Sequence, residues 1–271
     1  MPTGWSKYDF ASSKRSSCKC LHNGASLKNE NRRLVRKSAK AQDWWLEQVS
    51  GAMCLMTSQG PFSVYNPDCV FTNCGWDAQT AGALFTDKPD SILLLGMGGG
   101  TVARQCRMLY PRARIVAVEA DADIIRLARR HFALDTLNID VMCTTAEKYI
   151  GSSRRKFDVI IDDAWPIIDV RSRSIYTSSE WLNRLKRRLR SGGIVGINSY
   201  SAQGDAKSRL HVLRGLKSAF QCVREIQSEG RVVTVLVGGE SLPDARQARR
   251  AIKSLPSQAR APLSALRFRS I

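Results

Sequence analysis

Long apolar runs are missing from this sequence. None approaches the roughly 18 residues that a helix needs to cross a bilayer, so no membrane span is expected. The first residues lack the apolar core of a secretory signal. Histidine is scarce, with three residues, and the eight cysteines form no C-x-x-C pair. Cys18-x-Cys20 followed by His22 has no fourth partner nearby, so zinc is not expected. Cys106, Cys143 and Cys222 fall within expected helices or strands and read as reduced, buried, small apolar residues. Acids are also short, at 24 against 42 Lys and Arg. The excess is local: residues 1–42 hold ten cations and two acids, 241–271 seven and one, and 43–240 a near-balanced 25 and 21. Such basic ends suit an acidic macromolecule or a plain solvated extension. The cytoplasm is the default compartment; a basic, Ser-rich, acid-poor start also matches organellar transit peptides.

What is present centres on residues 91–119, SILLLGMGGGTVARQCRMLYPRARIVAVE. An apolar run at 92–95 reads as a strand buried on both faces. Gly96, Gly98, Gly99 and Gly100 follow at once. Residues 101–110 read as a helix stopped by Pro111, and 115–118 as a second strand ending on Glu119. Glycines let the backbone turn sharply and approach a ligand. The helix start offers free N–H groups, and the terminal acid stands where a ribose diol donates. Strand, turn, helix, strand and acid in this order point to a nucleotide-type site.

Further on come a helix at 121–132, a short strand at 139–143, a helix opened by Thr145-Ala146-Glu147, and a strand, FDVIIDD, ending on Asp162 and Asp163. Residues 178–190 read as a helix with a basic face, capped by Ser191-Gly192-Gly193. A buried strand at 194–198, a helix at 206–220 and a final antiparallel hairpin at 222–237 complete the pattern. Before the core, 52–56 and 62–65 read as short strands, 70–71 as a third, 43–49 as a helical turn or strand entry, and 76–85 as a helix.

The stretches LLLGMGGGTVAR, IVAVEADADIIRLARRHF, FDVIIDDAWP, IYTSSEWLNRLKRRLRSGGIVGINSY and VVTVLVG resemble the class I S-adenosylmethionine-dependent transferases. More closely they are similar to the spermidine synthase (polyamine aminopropyltransferase) branch, over roughly residues 51–238. The resemblance implies an α/β fold: a Rossmann-like, doubly wound, seven-stranded sheet with a small N-terminal β layer. The chain then divides into a basic extension at 1–42, expected to be disordered because it carries no sustained periodicity, a β-rich subdomain at 43–85, the S-adenosylmethionine-binding domain at 86–240 and a basic extension at 241–271, in which 244–255 reads as a basic helix before a Pro-containing tail. The resemblance leaves the oligomeric state open between a monomer and a homodimer, since the family often pairs through its N-terminal region.

The resemblance also implies residue roles. Gly96, Gly98, Gly99 and Gly100 line the donor's methionine side, Glu119 takes the ribose hydroxyls, and Thr145 and Ala146 lie beside the adenine. Asp162 matches the acid that takes a proton from the attacking amine and also borders the donor; in methyl transfer Asp162 or Asp163 is the proton acceptor, and Tyr176 orients the acceptor. Three features depart from the family. Gly99 stands where its glycine loop carries an Asp that holds the diamine. Trp165, before Pro166, stands where a second substrate acid belongs, with Asp169 the only nearby substitute. Asp77, Ala78 and Gln79 replace a Tyr-His-Glu stretch. These losses favour intact S-adenosyl-L-methionine and methyl transfer to an N or O nucleophile of a small-molecule acceptor. Aminopropyl transfer from decarboxylated S-adenosylmethionine is the alternative, and a non-catalytic binding scaffold the third reading.

Overall fold

The computed structural model describes residues 32–36, 44–57, 60–164, 178–200, 206–228 and 233–271. A four-stranded antiparallel sheet comes first: β1 (Arg32–Arg36), β2 (Trp44–Val49), β3 (Ala52–Thr57) and β4 (Gly60–Tyr65), in that order. Within the run at 43–49, the described residues Trp44–Val49 are a strand. β1 lies inside the stretch expected to be disordered; backbone pairing with β2 holds it, a long-range ladder that local periodicity does not announce. Residues 70–71 form no strand, and Phe71 is instead a fully buried plug.

Helix α1 (Gly75–Ala81) and a 3-10 turn (Gly82–Phe85) lead into β5 (Ser91–Leu95). Then come α2 (Thr101–Leu109), β6 (Arg114–Glu119), α3 (Ala122–His131), β7 (Asp140–Cys143), α4 (Ala146–Ser152) and β8 (Phe157–Asp162). After residues 165–177, outside the described set, follow α5 (Ser179–Arg187), β9 (Leu189–Tyr200), α6 (Ala206–Ala219), β10 (Cys222–Gln227) and β11 (Val233–Gly239). The chain closes with α7 (Ala245–Lys253), α8 (Ser257–Ser264) and β12 (Arg267–Ser270).

Among the described residues the main sheet runs β12-β10-β11-β9-β8-β5-β6-β7. β7, β6, β5, β8 and β9 are parallel, whereas β11, β10 and β12 pair antiparallel. The α/β class and the N-terminal β layer match expectation. The eighth strand, β12, does not: the C-terminal segment is not a tail but folds back, with Phe268 packed against Phe85 at 6.1 Å. Its basic side chains lie on the outside of a structured layer because Ala248, Ile252, Ala259 and Leu263 supply an inner apolar face. Gly192 and Gly193 also differ from expectation. The helix stops at Arg187, and the glycines sit in an irregular stretch where β8–β9 pairing skips from Leu189 to Ile194.

Strand alternation assigns each side chain to a face. Ile92, Leu94, Ile115, Ala117, Val159 and Ile161 pack with α1, α2, α3 and α7. Leu93, Leu95, Val116, Val118, Ile160 and Val195 pack with α4, α5 and α6. The N-terminal sheet covers α3 through Trp44, Leu46, Leu55 and Phe132.

One polar knot lies within the first face. Asp77 accepts from Thr72 N–H and Oγ1–H (both 3.0 Å), from Asn73 N–H (2.6 Å) and from Gln105 Nε2 (2.7 Å). Gln105, fully buried, also donates to the Val70 carbonyl and accepts from Thr80 Oγ1 at 2.6 Å. Burial pushes the Asp77 carboxyl above its usual range, against the hydrogen bonds from Thr72, Gln105 and Asn73. The knot fixes the loop before α1 against α2. Asp77→Ala orphans four donors at a buried position and is expected to lower unfolding free energy by about 3 kcal/mol or more. A urea-denaturation midpoint equal to that of the parent chain would refute this role.

Candidate active site

The parallel strands end along one edge, and backbone hydrogen bonds lace their loops together. Gly96 and Met97 N–H both donate to the Val118 carbonyl, Asp163 N–H to Leu95, and Thr144 N–H to Glu119. The turn after β5 needs glycine. Gly96 and Gly100 have φ of +83° and +88°, and a Cβ on Gly96 would lie 2.4 Å from the Asp163 carbonyl oxygen.

Glu119, 7% exposed, closes this turn from the β6 side. Its Oε2 accepts from Gly98 N–H at 2.9 Å and its Oε1 from Asp121 N–H at 3.0 Å. Burial raises its carboxyl above the usual range, opposed by hydrogen bonds from the Asp121, Gly98 and Ala120 amides. A carboxylate offers about four acceptor positions. Three amides leave it room for one hydroxyl, so the expected ribose role fits, with part of the group already engaged in holding the glycine turn.

The two acids after β8 separate completely. Asp162 is fully buried on the α5 face, accepting from Trp181 Nε1 at 2.8 Å and from Ala164 N–H at 3.2 Å. It joins the end of β8 to α5 and does not line the crevice, which corrects its assignment as proton acceptor. Asp163, one residue later, points to the opposite face, as alternation requires. There it lines a crevice with Phe62, Ser63, Trp76, Gly96, Met97 and Gly98. Its Oδ2 accepts from Gln79 Nε2 at 3.0 Å and its Oδ1 from Asn198 Nδ2 at 2.7 Å.

Gln79 and Asn198 were not identified as site residues from sequence. Gln79 registered only as a mismatch to the family stretch, and Asn198 as the end of a strand. Their signal was a polar residue in a buried position, at 3% and 7% exposure. Ser63 and Thr101 were missed as well. Ser63 Oγ accepts from Gly99 N–H at 2.7 Å, and Thr101 Oγ1 exchanges two 2.9 Å hydrogen bonds with the Val64 backbone, docking β4 on the glycine turn.

Gly99 has no space for a side chain: its Cβ would stand 2.8 Å from Ser63 Cβ and 3.0 Å from Phe132 Cδ1. Thr145 caps α4, its hydroxyl accepting from Lys148 N–H at 3.3 Å, and Ala146 is buried behind it. The pair stands at the edge of the loops as expected, with the Thr145 hydroxyl engaged as a helix cap. Tyr176, Trp165, Pro166 and Asp169 lie outside the described residues, as do Cys18, Cys20 and His22. Among the described residues no cluster of His, Cys, Asp and Glu suits a metal, and no helix is long and apolar enough to cross a membrane.

This is the strand-end crevice of a class I nucleotide-type fold, and comparison with known proteins narrows the class. A family model described as a methyltransferase domain matches residues 92–193. A probable polyamine aminopropyl transferase of Bifidobacterium longum is 32% identical over 139 residues, 51% of this chain and 30% of that protein. An eEF1A lysine and N-terminal methyltransferase of Danio rerio is 28% identical over 167 residues, 56% of this chain and 23% of that protein. The chain thus spans less than a third of either curated relative. Among solved structures, a probable spermidine synthase from Corynebacterium glutamicum superposes with a TM-score of 0.68 at 19% identity, covering 86% of this chain and 89% of that one. In sequence over about half its length, and in fold, the chain is similar to the class I S-adenosylmethionine-dependent transferases of the spermidine synthase-like kind.

The raised Glu119 carboxyl has a measurable consequence. The folded state binds a proton there more tightly than the unfolded chain does. Its contribution to stability is full below the ordinary glutamate pKa and is lost as pH rises through the folded value. Glu119→Gln removes that term. The unfolding midpoint of the parent chain is expected to fall more steeply across this window than that of the variant; parallel slopes would contradict the assignment.

Proposed function

We propose that this chain transfers a carbon group from the sulfonium of an S-adenosyl donor to an amine nitrogen. The observation that supports this best is Asp163: a carboxylate at the strand-end crevice, beside the glycine turn, held by two side-chain amides. When bound, the donor supplies an electrophilic carbon on sulfur. Gly96, Gly98 and Gly100 would line its amino-acid side, Glu119 would accept a ribose hydroxyl, and Ala146 would flank the adenine. An amine is protonated at neutral pH and must lose its proton before attack. Asp163 would bind the ammonium, orient it and take that proton.

Two readings divide over the donor. Aminopropyl transfer from decarboxylated S-adenosylmethionine to a polyamine stands first, supported by the names of the Bifidobacterium relative and the Corynebacterium structural neighbour. Methyl transfer from S-adenosyl-L-methionine stands second. The absence of a carboxylate at Gly99 favours it, since an acid there would repel the carboxylate of the intact donor, and the Danio relative's name agrees.

Calorimetric titration with each donor separately tests the proposal. Tighter binding of the decarboxylated donor supports the first reading, tighter binding of the intact donor the second, and binding of neither overturns both in favour of a non-catalytic scaffold. With the preferred donor, Asp163→Asn is expected to lower kcat/KM about 10²–10⁴-fold at an unchanged unfolding midpoint. Asp162→Ala should instead lower the midpoint, because it strands the buried Trp181 Nε1–H.

A further inference from the structure

The folded C-terminal layer, residues 241–271, holds seven cations and one acid. All seven cations are exposed, and among the described residues none of them forms an ion pair. The acid, Asp244, is engaged as the cap of α7, accepting from Gln247 N–H at 2.8 Å. That hydrogen bond pulls its carboxyl below the usual range, with Arg246 and Arg250 adding less. Glu240, just before the layer, is held by Lys186 at 2.6 Å. The positive charge of this surface is therefore largely uncompensated within the chain.

Four of the cations form a stripe. Arg246, Arg249, Arg250 and Lys253 stand at i, i+3, i+4 and i+7 on α7, within an arc of about 100° and over about 10 Å of helix. Ala248 and Ile252 lie on the other side, buried in one cluster with Phe85 and Phe268, so the sheet holds the helix by its apolar side. Helix stability does not account for the stripe. Cations suit the last turn of a helix and acids the first. Arg250 and Lys253 follow that rule, whereas Arg246 stands in a first turn that has no acid. Like charges three and four residues apart also repel each other. Arg267 and Arg269 are not part of the stripe: they alternate with Phe268 along β12 and so point to the opposite face of the sheet.

The chemistry of a partner follows from what the stripe has and lacks. Three of its four residues are arginines, whose planar fork takes phosphate oxygens in pairs. Among the described residues the exposed large apolar side chains are Met142 and Leu210, neither of them on this layer. With its apolar side buried, α7 has nothing to insert into a bilayer. Without an exposed aromatic ring it has no platform for unpaired bases. One strand of a nucleic acid duplex advances about 3.4 Å per phosphate, so the stripe matches about three phosphates in a row. We infer that Arg246, Arg249, Arg250 and Lys253 bind the phosphodiester backbone of a double-stranded nucleic acid, without reading its sequence. None of the four lines the crevice of Asp163, so this surface is separate from the proposed transfer site.

Fluorescence anisotropy of the full chain with a labelled DNA duplex of about 20 base pairs, between about 50 and 200 mM salt, tests the inference. Arg246→Gln/Arg250→Gln is set against Arg267→Gln/Arg269→Gln, which removes equal charge from the other face. Each phosphate contact adds about 0.9 to the slope of log affinity against log salt. The stripe variant is expected to lose about two units of slope, so that its affinity falls about tenfold less than the parent's across this range, while the second variant keeps the parent slope. All four substituted side chains are exposed, and both variants should unfold at the parent midpoint. The difference between them isolates the stripe from cations elsewhere in the chain. Equal slopes in the two variants would overturn the inference, as would no binding of the duplex by the parent chain at the lowest salt. Tighter binding by the parent chain of the unpaired strand, of phosphatidylserine vesicles or of polyglutamate would overturn it as well, and would make the partner single-stranded, a membrane or an acidic protein. That last comparison needs no variant to fold.

Discussion

Everything at the site depends on how closely two strand ends approach each other. The backbone after β5 passes so near Asp163 that no Cβ fits at Gly96, while Asp163 N–H reaches back to the Leu95 carbonyl. The same turn places two amides on Val118 and a third on the Glu119 side chain. Glycine makes this approach sterically allowed, and the hydrogen bonds make it rigid. Loops from β5, β6, β7 and β8 then share one edge, with Glu119 and Asp163 on either side of the turn. A side chain at Gly96 would displace Asp163, and with it the amides that hold it.

Strand parity then decides which acid faces the crevice. Asp162 and Asp163 are adjacent in sequence, and nothing in their spacing says which one faces the crevice. The resemblance favoured Asp162. The structure gives Asp162 the role of a buried strut, tied to Trp181, because even-numbered residues of β8 face α5. Asp163 inherits the opposite face, toward α1. The position of the last in-register pair, Asp162 with Leu95, is a property of the whole sheet and not of the local stretch.

Much of the fold was readable because its signals are local. β5, β6 and β8 carry β-branched or leucine runs bounded by turns, Asp121 and Thr145 are helix caps, and the glycine cluster admits few conformations. Features that depend on distant partners were not readable. β1 exists through its ladder to β2. The buried Asp77–Gln105 bond joins residues 28 positions apart and looks, in sequence, like two ordinary helix-surface polar residues. Of the C-terminal layer, the helix expected at 244–255 is present as α7, whereas α8 and β12 were hidden by composition: an arginine-rich stretch with few apolar residues reads as a tail. Those few fall on one face and bury against the sheet, and β12 adds itself to the edge of β10.

The same distinction bears on the lost acid of the glycine loop. Read in sequence, Gly99 is a missing carboxylate. In the fold, that position is closed: Ser63 and Phe132 fill the space a side chain would need, and Ser63 takes the Gly99 amide. The loop is therefore built around the absence. Among the described residues lining the crevice, the carboxylate is that of Asp163 at the end of β8, held by Gln79 from α1 and Asn198 from β9.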